Sequence, residues 1–193
     1  SALAPLALNA LHLGVDFVNI IRNIQNKIID NGKKDDDYDI PYTTLHVGKM
    51  QGGVALNIVP NICTIDWEIR NLAGDNPSVI LKQVSKDVGN LLSDYQNAKA
   101  EICWEEIFSY PGLGTDLDSD IISFVRSLTG TNNTIKVAFG TEGGLFHNEV
   151  GIPTVICGPG SMLQGHKPNE FISVEQMNRC DLMMTNLLKN ISY

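Results

Sequence analysis

The sequence predicts an α+β fold in two regions, and three observations carry that expectation. Apolar residues recur at three- and four-residue spacings from Leu6 to Ile28, the signature of a helix with a broad buried face. Strand patterns follow in Tyr42–Gln51 and Ile58–Arg70. Beyond Tyr110 the grammar changes to short apolar segments alternating with helical ones. At roughly 100–200 residues per domain, the 193-residue chain fits one domain or two small ones.

The first helix is expected to stop near Asn31-Gly32, glycine being the common residue just past a helix end. The charge run Lys33-Lys34-Asp35-Asp36-Asp37 reads as a solvated loop. Tyr42–Gln51 closes in the turn signal Gln51-Gly52-Gly53. In the next strand Ile65, Trp67 and Ile69 alternate with Asp66, Glu68 and Arg70, so one face is buried and the other solvated. Asp75-Asn76-Pro77 opens a helix to about Tyr95, with a polar cap before a first-turn proline. Ala100–Phe108 reads as a further strand. The order α-β-β-α-β lacks only a leading strand to give the ferredoxin-like β-α-β-β-α-β arrangement.

In the second region Asp118–Leu128 is helical, and Ile135–Phe139 and Thr154–Cys157 read as buried strands. Gly140-Thr141-Glu142-Gly143-Gly144 and Gly158-Pro159-Gly160 mark turns at their ends. Ser173 caps a last helix, with Gln176 three residues on as its capping-box partner. Two strands make only part of a layered sheet, so residues 111–193 are expected to be an incomplete α/β segment after a first domain of residues 1–110.

Fourteen Lys and Arg against 22 Asp and Glu give a net charge of −8, which argues against binding nucleic-acid phosphates. Apolar runs such as Ile152–Cys157 fall far short of the ~20 residues a bilayer span needs. No signal peptide is expected, since Ser1–Ala10 lacks a basic start and a long apolar core. A cytoplasmic location is the expectation. Cys63, Cys103, Cys157 and Cys180 are too scattered for a zinc or redox motif and read as small buried hydrophobes. A chain opening on Ser1 inside a helical pattern is also expected to be a processed product or a piece of something longer.

Three places could carry chemistry. His166, in Gly165-His166-Lys167-Pro168-Asn169-Glu170, follows a strand and a Gly-Pro-Gly turn, where open α/β sheets place ligands. A lone loop histidine is more often a surface residue, and no second cluster at metal-ligand spacing accompanies it. The glycines around Thr141 and Glu142 let backbone N–H groups approach a ligand, or simply make a tight turn. Glu142 between glycines suits a cationic substrate group. Asn57 follows the Gly-Gly turn, and Arg70 could take a carboxylate bidentately or pair with Glu68 or Asp66, which its spacing favours. His12 and His46 lie in apolar patterns and read as structural; His147 is undecided.

Three segments taken together resemble the M20-family metallopeptidases. Thr43-Thr44-Leu45-His46-Val47-Gly48, Gln51-Gly52-Gly53-Val54-Ala55-Leu56-Asn57-Ile58-Val59-Pro60 and Trp67-Glu68-Ile69-Arg70 resemble their lid domain. Phe139-Gly140-Thr141-Glu142-Gly143-Gly144-Leu145-Phe146 and Gly151–Ser161 resemble their C-terminal catalytic segment. Gln164–Phe171 matches the closing histidine motif. Within the family the likeness is greatest to the acetylornithine deacetylases.

The resemblance implies a two-zinc amidohydrolase that removes the acetyl group of N2-acetyl-L-ornithine, with a homodimer formed through the lid. By carry-over His166 is a zinc ligand, Arg70 holds the substrate carboxylate, Gly140 and Thr141 line the pocket, and Asn57 approaches from the lid across a dimer interface. Glu142 is expected to recognise the distal ammonium. The family's other metal ligands and its general base have no counterpart in this sequence, so the chain alone is expected to be inactive. Succinyl-diaminopimelate desuccinylase or another aminoacylase is the alternative within the class; a non-catalytic dimerisation module or an amino-acid-binding module lies outside it.

Overall fold

A computed structural model describes residues 3–95, 99–165 and 167–192. The chain divides into two units: Ser1–Ser109 with Lys136–Phe139, and Tyr110–Ile135 with Gly140–Tyr193.

The first unit is built from α1 (Ala10–Asn31), β1 (Thr44–Gly52), β2 (Cys63–Arg70) and α2 (Pro77–Ser93). A 3-10 turn, Ala4–Leu6, precedes α1, so the helix begins later than the apolar spacing suggests. Asn9 sets the start: its Oδ1 accepts from the Leu11 and His12 N–H groups at 2.9 and 3.4 Å, satisfying donors that have no partner inside the helix. At the other end the Gly32 N–H donates to the Ile28 carbonyl, and Lys34 Nζ donates to the Ile29 carbonyl at 2.5 Å. That cation lies where the helix dipole is negative. The charge run is therefore engaged as well as solvated. Lys33 donates to the Gly74 carbonyl at 2.6 Å, and Asp35 and Asp37 pair with Lys136 at 2.7 and 3.0 Å.

β1 and β2 pair antiparallel, from Thr44 opposite Arg70 to Gly52 opposite Cys63. The register steps by one between Val47 and Lys49, leaving Gly48 as the extra residue of a β-bulge. The bulge restores the inward face. Leu45, Val47 and Met50 lie opposite Ile69, Trp67 and Ile65, although Val47 and Met50 are three residues apart. β2 shows the expected alternation along its whole length.

Phe17, Ile21 and Ile24 of α1, Leu45 of β1, and Val84 and Val88 of α2 form one buried cluster, flanked by Trp67 and Ile102. Phe17 meets Trp67 edge to face with ring centres 5.8 Å apart. α1 crosses the sheet at Gly14, where an added Cβ would stand 2.6 Å from Cys63 Sγ; only glycine lets the helix come this near. Asn76 caps α2 by accepting from the Ser78 N–H at 2.9 Å, with Pro77 in the first turn. Buried Thr43 ties the corner before α2. Its hydroxyl donates to Asp75 Oδ2 at 2.5 Å and accepts the Leu72 N–H at 3.0 Å.

The second unit holds α3 (Asp120–Thr129), α4 (Gly143–Asn148) and α5 (Val174–Ile191). α3 ends at Gly130 in the left-handed conformation, and Ile122 and Leu128 are its buried side chains. Ser173 Oγ accepts the Gln176 N–H at 3.2 Å. The other half of the capping box is absent, because Gln176 Oε1 instead accepts from the Gly160 N–H at 3.5 Å.

Three strand expectations fail. Ala100–Phe108, Ile135–Phe139 and Thr154–Cys157 carry no strand among the described residues. Alternation or apolarity equips a segment for a sheet, but a strand exists only with a ladder partner. The described sheet stops at β1 and β2. Cys103 and Cys157 are exposed and Cys63 and Cys180 half-buried, against the expectation of buried thiols. His12 and His46 are exposed rather than structural.

Candidate functional site

In the first unit the connection between β1 and β2 stands out. It leaves Gly52 through Gly53, in the left-handed region at φ +79°, and returns past Pro60, whose carbonyl accepts from the Ala10 N–H at 2.9 Å. That bond fixes the loop to the start of α1. Between them lies a hollow of about 410 Å³ whose wall includes Asn9, Leu11, Gly53, Leu56, Asn57 and Pro60. Asn57 thus faces a recess, while Val54 and Leu56 stand 86% and 102% exposed at its rim. Such exposure of apolar side chains on a tied-down loop suits contact with another surface.

Arg70 lies elsewhere. It is the last residue of β2, opposite Thr44, whereas the Asn57 loop joins the other end at Gly52 and Cys63. Seven strand steps at ~3.4 Å separate Cys63 from Arg70, roughly 24 Å. One chain therefore does not bring Asn57 and Arg70 onto one small molecule. Arg70 Nε is 3.1 Å from Glu68 Oε1, the pairing its spacing favoured. Both side chains are about half exposed.

In the second unit the glycine turn is well defined. Thr141 Oγ1 accepts from the Gly143 N–H at 3.2 Å. Exposed Glu142 is the residue before α4, and its carbonyl accepts the Leu145 N–H at 3.0 Å. Its carboxylate makes no cap and is presented to solvent. The glycines serve packing: a Cβ on Gly144 would collide with the Pro111 carbonyl, and one on Gly140 with the Tyr110 ring. Asn148 Nδ2 locks the same corner, donating to the Gly112 and Gly144 carbonyls at 3.1 and 2.9 Å. His147 has a buried Nδ1 with no hydrogen-bond partner among the described residues. Sequence spacing left that histidine undecided, and no sequence signal marks the orphaned nitrogen.

His166 lies outside the described residues. Among the described residues no group of three or more His, Cys, Asp or Glu side chains could hold a metal ion. The described residues by themselves therefore do not make up a zinc centre, and no step through zinc is assigned to them. No described helix is long and apolar enough to cross a membrane.

Comparison with known proteins adds to this geometry. The family profile for the M20 peptidase dimerisation domain matches residues 1–96. Acetylornithine deacetylase of Myxococcus xanthus is 29% identical over 150 residues, covering 78% of this chain and 38% of that protein. The Aliivibrio salmonicida protein of the same name is 29% identical over 170 residues, covering 86% and 42%. A tripeptidase from Staphylococcus aureus of known crystal structure is 28% identical with a TM-score of 0.56, over 87% of this chain and 44% of its own. The chain thus spans about two-fifths of the length of the relatives it matches. Residues 1–96, which hold the α1-β1-β2-α2 core and the Asn57 loop, are thus the part of the chain that is similar to the M20 peptidase dimerisation domain.

Proposed function

We propose that this chain is the dimer-forming, ferredoxin-like lid and adjoining C-terminal segment of a cytoplasmic zinc amidohydrolase, and that two copies share each substrate site. The observation that carries the reading is the placement of Asn57 and Arg70 at opposite ends of a two-stranded sheet. If both touch one acylated amino acid, they come from different copies. In a two-fold dimer the Asn57 loop of one copy then reaches the pocket whose carboxylate is held by Arg70 of the other. The exposed apolar rim of that loop supports such a contact.

N2-acetyl-L-ornithine is the favoured substrate, because the relatives so named align with most of this chain. Gly140 and Thr141 would line the pocket, and the exposed Glu142 carboxylate would meet the ornithine ammonium. His166 would be this chain's one contribution to the metal centre. A peptidase reading is favoured by the likeness to the tripeptidase; desuccinylase, aminoacylase and non-catalytic dimerisation readings remain outcomes of the tests.

Light scattering on the purified chain should give the mass of two copies, and a monomer at high concentration would overturn the dimer. In a full-length hydrolase carrying this sequence, Asn57→Ala and Arg70→Ala are each expected to be inactive. Co-expressed, they should recover about a quarter of the activity, since half the dimers are mixed and each has one intact site. No recovery would place both residues in one copy's site. Glu142→Gln should raise KM for acetylornithine far more than for an N-acetyl amino acid with a neutral side chain; equal effects would remove Glu142 from substrate recognition. A preference for tripeptides would favour the peptidase reading.

A further inference from the structure

The first unit carries two helices on a sheet of only two strands. α1 lies over β1 and β2, while α2 packs along α1 and brings Val84 and Val88 into the shared core. β2 pairs with β1 on one side and, among the described residues, with no strand on the other. Its inward side chains Ile65, Trp67 and Ile69 pack against the core but are only half-buried. Ala100–Phe108 is a second unmatched piece. It follows α2 in β-α-β order, alternates in the manner of a strand and packs Ile102 against the same core, yet carries no strand.

In a split β-α-β arrangement the two parallel strands do not touch, because a further strand runs between them, antiparallel to both. We propose that β2 and Ala100–Phe108 bound a slot for such a strand, and that its occupant is a separate extended peptide, apolar on one side and basic on the other. Every second residue of β2 turns its N–H and C=O away from β1, and an added strand satisfies them. The flanks set the chemistry of the occupant. Towards the helices it meets Ile65, Trp67 and Ile102, which call for apolar side chains. On the opposite face it meets Asp66 and Glu68 of β2, and the alternation places Glu101 and Glu105 there as well. Lys49 and Arg70 stand beside the first two at 3.8 and 3.1 Å, whereas Glu101 and Glu105 form no ion pair among the described residues. Lysine or arginine at alternate positions of the occupant is then flanked by carboxylates, and aspartate or glutamate is repelled. The same repulsion disfavours Ala100–Phe108 of a second copy, which carries Glu101, Glu105 and Glu106.

The test titrates the purified chain with a synthetic peptide of eight residues, the length of β2, in which valine alternates with lysine. Calorimetry should show one peptide bound per chain, about tenfold or more tighter than a peptide alternating valine with glutamate. A proline in place of a central valine, which removes a ladder donor, should abolish binding. Amide exchange should slow at every second residue of β2 and along Ala100–Phe108, while β1 stays as it was. Glu101→Lys combined with Glu105→Lys, two exposed positions, should weaken the valine–lysine peptide about tenfold. The proposal is overturned if that peptide does not bind, if the glutamate or proline peptide binds equally well, if the double variant binds it as tightly as the unaltered chain, or if protection falls on the outer edge of β1. It is also overturned if the outward amides of β2 are already protected in the chain alone, since a second copy or a segment of this chain then fills the slot. The exchange pattern is read on the unaltered chain, so a variant that fails to fold does not remove the test.

Discussion

The two units treat their apolar residues in opposite ways. In the first, α1 and α2 cover one face of β1-β2, and Ile21 and Val84 are 1% and 0% exposed. In the second, α5 runs for 18 residues without one buried side chain, and Leu182 and Leu188 are 62% and 57% exposed. Both have capped helices with apolar stripes. The difference is that the first supplies each stripe with a facing layer, whereas among the described residues α5 packs beside α3 with no sheet facing it. Amphipathic helices are stabilised chiefly by what covers them, so local structure is alike in the two units while cohesion is not.

The sharpest way to break that comparison is to truncate one apolar residue in each. Ile21→Ala should cost about 3 kcal/mol in urea unfolding through lost burial and a cavity. Leu182→Ala should stay within about 0.5 kcal/mol. Equal losses would mean that α5 is covered in solution. Thr43→Val comes next: it strips a hydroxyl from a buried corner and leaves the Leu72 N–H without its acceptor, costing about 2 kcal/mol. An unchanged unfolding midpoint would show that another group takes over. Asn9→Ala should cost about 1 kcal/mol through loss of the α1 cap. Ser173→Ala deletes a similar cap on α5 and should instead raise amide exchange at Gln176 with little change in the main transition.

The smallest effect concerns Lys136. Its hydrogen bond holds the Asp35 carboxyl below its ordinary value, and Asp35 with Asp37 raises the Lys136 ammonium above its own. The carboxyl contributes stability above its unfolded-state value, lost as pH falls through the lower folded value. The ammonium contributes below its unfolded-state value, lost as pH rises through the higher folded one. Lys136→Met should therefore lower Tm slightly between about pH 4 and 10 and not at pH 2. A constant difference at every pH would assign the effect to packing.

The first unit was largely legible in the sequence because its signals are local. Helical spacing, the Asn76-Pro77 cap and the alternation from Ile65 to Arg70 each mark an element whose partners lie close in the chain. The bulge was legible too, had the spacing Leu45, Val47, Met50 been taken literally: two apolar steps of two and three place both inward only with an extra residue at Gly48. Ile135–Phe139 and Thr154–Cys157 have the apolarity of strands without forming them, because a strand is a property of a pair, and apolarity alone supplies no neighbour. At the candidate site, Arg70's pairing with Glu68 followed from spacing. The distance between Arg70 and Asn57 did not, since it depends on which ends of the strands the loop joins.

The side chain of Gln25 has a further consequence. Its Oε1 accepts from the Leu45 N–H at 2.5 Å and its Nε2 donates to the Thr43 carbonyl at 3.3 Å, so a helix amide imitates one residue of a neighbouring strand. Among the described residues the outer edge of β1 is thus plugged at its first rung and pairs with no strand beyond it. A polypeptide zipping onto that edge finds no foothold at Leu45 and must begin further along, which removes the alignments that start there. A single amide on α1 thereby acts as an indexing pin for strand recruitment, narrowing the offsets at which another chain, native or aggregating, can be accepted.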